Sequence, residues 1–195
     1  LPEGSNPALI IRNNIIAVSG GELTEISGNY LPTGTGIGYS FDGGENWHFK
    51  PQSIDPIPNQ GVYQSIIWGG QSLEHLSVTT PINNISYDLA IIGEYIYSTS
   101  WAGGLRRFKH TLPSNIIPGE DPNPWEIIPL PMDSQFSLEC GNIDIDNFEI
   151  NPNDPINGGS HNHKGFSVYS YDENTIWVGT ASGINKGTIN PDTDC

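Results

Sequence analysis

Apolar residues in this chain fall in short runs broken every few positions by polar residues, glycine or proline, the pattern of strands with one covered face. Ile15-Ile16-Ala17-Val18 and Ile176-Trp177-Val178 are β-branched or aromatic and are bounded by Gly, Asn or Asp, as strand sequences are. The spacing of an amphipathic helix is missing almost throughout. The chain therefore reads as all-β.

The runs repeat. "NIIAVSG" (Asn14 to Gly20) followed by "GIGYSFDGGENW", "EYIYSTSWAGGLRRF" (Glu94 to Phe108) and "NTIWVGTASGINKG" (Asn174 to Gly187) each give a strand, a turn of small residues, and a Gly plus an apolar residue opening another strand. Aligning Ile96-Tyr97 with Ile176-Trp177 sets Gly104-Leu105 opposite Gly183-Ile184, and Gly36-Ile37 holds the same place in the first unit. "NISYDLAII" (Asn84 to Ile92) and "KGFSVYSYD" (Lys164 to Asp172) add an upstream strand, while "WHFKP" and "WEIIP" add a last one headed by Trp47 and Trp125. Four strands per unit follow. A unit of this kind cannot bury its faces alone and must stack on its copies. The units are spaced more widely than the ~40–45 residues of a compact four-stranded blade, so Gly20 to Thr35, Pro51 to Gly70 and Pro113 to Pro124 read as inserted surface loops.

The stretch "SFDGGENW" sets Ser40, Asp42, Gly44 and Trp47 as S-x-D-x-G-x-x-W, which resembles the Asp-box, or BNR repeat. "TIWVGTASGINKG" looks like the strand-turn-strand that precedes such a box in sortilin-like and related bacterial β-propellers. The resemblance implies a β-propeller, of which residues 1–195 would form a part of about three to four four-stranded antiparallel blades. It also implies a structural use of the box: Asp42 accepts hydrogen bonds from amides of its own turn, glycine permits positive φ, and Trp47 packs beneath. Asp42 is then no catalytic carboxylate. Propellers need four to eight blades, so either Ala8 to Arg12 crosses over to lie beside Ile184 to Thr188, or, as the count favours, the residues belong to a longer array whose further blades pack against these.

Charge narrows the partners. With 22 acidic and 7 basic residues the net charge is −15, which disfavours nucleic acid and anionic lipid surfaces. No run reaches the ~20 apolar residues of a membrane helix, so no membrane insertion is expected. "LPEGSNPALII" lacks the basic start of a secretion signal. Cys140 and Cys195 fit no C-x-x-C metal pattern, and the sequence leaves their pairing open.

Candidate chemistry is sparse. Asp144 and Asp146 in "GNIDIDNFEINPND" would share a face if that stretch were a strand, and paired carboxylates serve glycosidases; the competing reading is a solvated edge or turn. The same stretch offers calcium the oxygens of Asp144, Asp146, Asn147, Glu149 and Asp154, without the spacing of an EF-hand. His161 and His163 in "SHNHKG" would lie on one side of an extended chain as ligands for zinc or copper, with no third ligand identifiable. Arg106 and Arg107 are adjacent, so a strand sends them to opposite sides and they cannot form one carboxylate clamp. Trp68 in "IIWGGQ" and Trp101 in "STSWAGG" sit beside glycines, where a ring face could meet a sugar or peptide; Trp47, Trp125 and Trp177 read as core. No nucleotide-binding glycine motif is present. These features suggest a non-enzymatic, extracytoplasmic β-propeller module with a protein or polysaccharide partner and no obligate cofactor. The alternative is a glycoside hydrolase whose acid and base stand on inserted loops.

Overall fold

The structure is a computed structural model that describes residues 4–57, 61–111, 121–190 and Cys195. Strands dominate, and helix is confined to three single 3-10 turns among the described residues. The first sheet is antiparallel in the order β1 (Leu9–Arg12), β2 (Ile15–Ile26), β3 (Asn29–Ser40) and β4 (His48–Pro51). A hairpin, β5 (Tyr63–Trp68) and β6 (Gln71–Leu76), follows. The second sheet runs β7 (Asp88–Ile92), β8 (Tyr95–Ser100), β9 (Gly104–Lys109) and β10 (Glu126–Ile128), again antiparallel. The short β11 (Glu149–Ile150) lies parallel to β6, and β12 (Gly165–Tyr169), β13 (Thr175–Thr180) and β14 (Ile184–Thr188) form the last sheet.

Several expectations are corrected. Gly20 to Thr35 is no loop: β2 and β3 pair from Ile16 against Ser40 out to Ile26 against Asn29, because Thr, Leu and Tyr on both sides sustain the ladder up to a two-residue turn at Ser27-Gly28. Pro51 to Gly70 contains β5, whose hairpin is closed by Gly69 and Gly70 at φ of 55° and 75°, the pair of positive values that a tight hairpin turn demands. Pro113 to Pro124 falls largely outside the described residues. The third unit has three described strands rather than four, and β1 pairs with β2 rather than lying beside β14.

Alternation along the strands sorts side chains into two cores. Ala17, Ile37 and Tyr39 of the first sheet meet Leu89, Ile91, Ile96 and Phe108 of the second. On its other face the second sheet sends Ala90, Ile92, Tyr97 and Leu105 against Val168, Ile176 and Val178 of the third. Each side chain goes to one core or the other because the strand period is two. A third core, around Leu73, Phe148 and Ile150, fastens the β5–β6 hairpin to the segment after β10. Phe108, with no exposed surface, packs edge-on against Trp125 at 4.8 Å between ring centres.

Stacking has a direction. Tyr97 faces the next sheet, and its counterpart by sequence alignment, Trp177, faces outward with 38% of its surface exposed. Trp177 is thus not core; Trp125 packs against the core between the first two sheets, and Trp47 is partly covered by its own turn. Tyr169 stands opposite Trp177 across the pair of strands, and Ile184 lies on the same open face. At the other end of the stack, Leu9 and Ile11 of β1 and Phe49 of β4 are more than half exposed.

Candidate functional site

The turn after β3 is tied by side chains. Ser40 donates its hydroxyl to Asp42 Oδ1 at 2.8 Å and accepts the Gly44 amide at 2.9 Å. Asp42 accepts the Asn46 amide at 2.9 Å and the Asn46 side-chain amide at 2.7 Å. Trp47 donates its indole N–H to the Gly44 carbonyl at 2.9 Å. Gly43 and Gly44 both have positive φ, which a Cβ would strain. The Asn46 amide, then the Asn46 side chain and Ser40, hold the Asp42 carboxyl down to about 2. An anion so bound within its own turn makes a poor proton shuttle at neutral pH.

The larger opening lies elsewhere. A cavity of about 720 Å³ is walled by the end of β4, the β10 edge and β5. Three ion pairs line it. Arg106, with 4% of its surface exposed, binds Asp55 Oδ1 at 2.9 Å, the Thr79 hydroxyl at 3.3 Å and the Gly103 carbonyl at 3.1 Å, and reaches the Ser53 hydroxyl. Arg107 binds Glu126 at 2.7 Å and the Tyr97 hydroxyl at 3.1 Å, with its guanidinium 3.9 Å over the Tyr95 ring. Lys50 pairs with Asp121 and lies over Phe108. As β9 alternation requires, the neighbouring arginines have separate partners. Their positions nevertheless bring both to the wall of one cavity.

Burial governs the titrations here. Desolvation alone would raise the Asp55 carboxyl, but Arg106, the Thr79 amide and His75 together outweigh it and hold Asp55 low. For His75 burial wins: although Asp55 lies 3.9 Å away and favours a charge, desolvation, with Arg106 and His163, pulls the imidazole down to about 4. Arg106 already neutralises Asp55, so a protonated His75 would be a second cation beside one anion. Its Nδ1 is buried without a partner.

A second cavity of about 610 Å³ shares Trp68, Arg107, Ile128 and Cys195 with the first. The disulfide Cys140–Cys195 stands at this divide and settles the pairing that the sequence left open. Trp68, half-buried against the third core, lines both spaces.

The other sequence candidates are dispersed. Asp144 and Asp146 lie at the start and within a 3-10 turn at Ile145–Asn147, not in a strand, because the Asp144 carboxylate and carbonyl both engage Asn147 and close the turn. Glu149 is in β11 and binds the Asn151 side chain, and Asp154 binds Lys164. Among the described residues no three His, Cys, Asp or Glu side chains gather where a metal could sit. His161 and His163 part company in their own 3-10 turn: His161 is exposed 3.4 Å from Asp154, and His163 is buried. The Asn151 amide donates to His163 Nδ1 at 3.0 Å and Nε2 contacts the Leu130 carbonyl at 2.9 Å, so both ring nitrogens are occupied. Trp101 is 41% exposed, edge-on to Phe166, with Lys164 4.7 Å from its ring centre.

Sequence reasoning missed Lys50, Asp55 and Glu126 as wall residues and His75 as the buried neighbour of Asp55. Nothing local marks them, since each comes from a different segment and only the packing of β4, β6 and β9–β10 joins them. Compared with protein-family models, curated proteins and solved structures, the chain has no match.

Proposed function

We propose that this chain is a non-enzymatic binding or scaffold module, organised as part of a β-propeller and working outside the cytoplasm. The observation that carries this reading is the directional stacking: aligned positions such as Ile96 and Ile176 face the preceding sheet, and Tyr97 faces the next. By the same rule Trp177, Tyr169 and Ile184 present a face for one more sheet, and Leu9, Ile11 and Phe49 present the complementary one. Further blades of the same kind are the natural cover, because apolar faces of this extent are otherwise an association hazard. The engaged state of Asp42 supports the Asp-box reading of its turn. The disulfide supports an oxidising compartment, where such bonds persist. The net charge of −15 points to a protein or polysaccharide partner and away from nucleic acid.

Incubation with a panel of polysaccharides, followed by reducing-end analysis, tests the reading. Binding without turnover is expected. Turnover that Asp144→Asn or Asp146→Asn abolishes would overturn it in favour of a glycoside hydrolase.

A further inference from the structure

We propose that the larger cavity binds a neutral oligosaccharide, an inference that rests on the binding-module reading and adds the class of ligand. Charge is the first argument. Among the described residues, the six charged side chains that line the larger cavity form three opposite pairs, Lys50 with Asp121, Arg106 with Asp55 and Arg107 with Glu126. The wall is electrically balanced in a chain that is otherwise strongly acidic. An ion entering it would have to unpair one of these groups in a partly desolvated place, which costs more than it returns. A ligand without net charge meets no such penalty.

Hydrogen bonding is the second argument. The carboxylates of Asp121 and Glu126 keep 52% and 41% of their side-chain surface exposed, so lone pairs beyond those used by Lys50 and Arg107 face the opening. The site thus asks for several hydroxyl donors at once. Trp125 and Trp68 line the same wall, and indole rings suit the C–H faces of a pyranose. Size is the third argument: about 720 Å³ lies within the range of pockets that enclose a small ligand of several rings.

The test is calorimetric titration with hexamers of glucose, mannose, xylose and N-acetylglucosamine, set against hexagalacturonate as anion and the glucosamine hexamer as cation. At least one neutral hexamer is expected to bind, with affinity changing less than about twofold between ~0.05 and ~0.5 M NaCl because no charge is screened. Trp68→Ala should weaken it by about tenfold or more, whereas Trp177→Ala, outside both cavities, should not. Glu126→Gln removes one negative charge from the wall and should shift preference toward hexagalacturonate, which mere loosening of the fold would not do; thermal melts of each variant exclude unfolding. The inference is overturned if no neutral hexamer binds, if either charged hexamer binds the unaltered protein more tightly, or if neutral binding ignores both Trp68→Ala and Glu126→Gln. A protein partner bound in place of sugars would leave the module reading standing and remove the sugar. A neutral hexamer that is bound and cleaved would keep the ligand class and remove the non-enzymatic reading.

Discussion

Mild acid should destabilise this protein through His75. The imidazole titrates near 6.5 when unfolded and at about 4 when folded, so between those values the unfolded chain binds the extra proton. Stability from this group is therefore complete above pH 6.5 and is lost as pH falls toward 4. Integrating the linkage from pH 7 to pH 5 gives a loss of about 2 kcal/mol, and the full window is worth about 3 kcal/mol. His163, which burial also lowers, acts in the same direction. The low-lying carboxyls of Asp42, Asp55, Asp133, Asp154 and Asp172 lose their contribution only below about pH 4, so the window isolates histidine. Urea unfolding at pH 7 and pH 5 measures the loss. In His75→Gln the loss between pH 7 and 5 should shrink, and in the double variant His75→Gln/His163→Gln it should shrink further. A His75→Gln protein that loses as much stability between pH 7 and 5 as the parent would refute the reasoning, and would mean that the imidazole is charged or open to water when folded.

Other expectations concern the ties named above. Ser40→Ala leaves the partly buried Gly44 amide without its acceptor and should cost about 1 kcal/mol, read as a lowered urea midpoint with sugar binding unchanged. Asp55→Asn strands the Arg106 guanidinium in the interior and should cost about 3–5 kcal/mol, whereas Asp55→Leu with Arg106→Leu should cost less than the sum of the separate changes; additive losses in the double-mutant cycle would contradict the pairing. Reduction of Cys140–Cys195, which closes a loop with a sequence separation of 55, should cost about 4 kcal/mol. At ~2.1 cal/mol/K per residue that corresponds to a Tm lower by about 10 °C, measurable by calorimetry with and without reductant.

Local pattern determined the strands themselves. β-branched runs punctuated by glycine placed β7 to β10 and β12 to β14, because strand propensity, the two-residue period and turn chemistry all act within a few residues. The box turn was legible for the same reason, since Ser40, Asp42, Asn46 and Trp47 bond only within their own loop. The arginine pair, too, was sorted to separate partners by alternation alone. Tertiary structure decided what depends on distant segments. Trp177 and Tyr97 occupy aligned positions in similar strands, and only the presence or absence of a neighbouring sheet separates the exposed residue from the buried one. Asp144 and Asp146 would share a face only in a strand, and the sequence left strand and turn both open; the bonds between Asp144 and Asn147 make it a 3-10 turn. The cavity was invisible because its pairs span 19, 51 and 71 residues, from Arg107 to Glu126, Arg106 to Asp55 and Lys50 to Asp121. A charge in the sequence carries no mark of its partner; burial, which the packing of sheets imposes, is what makes the pairing obligatory.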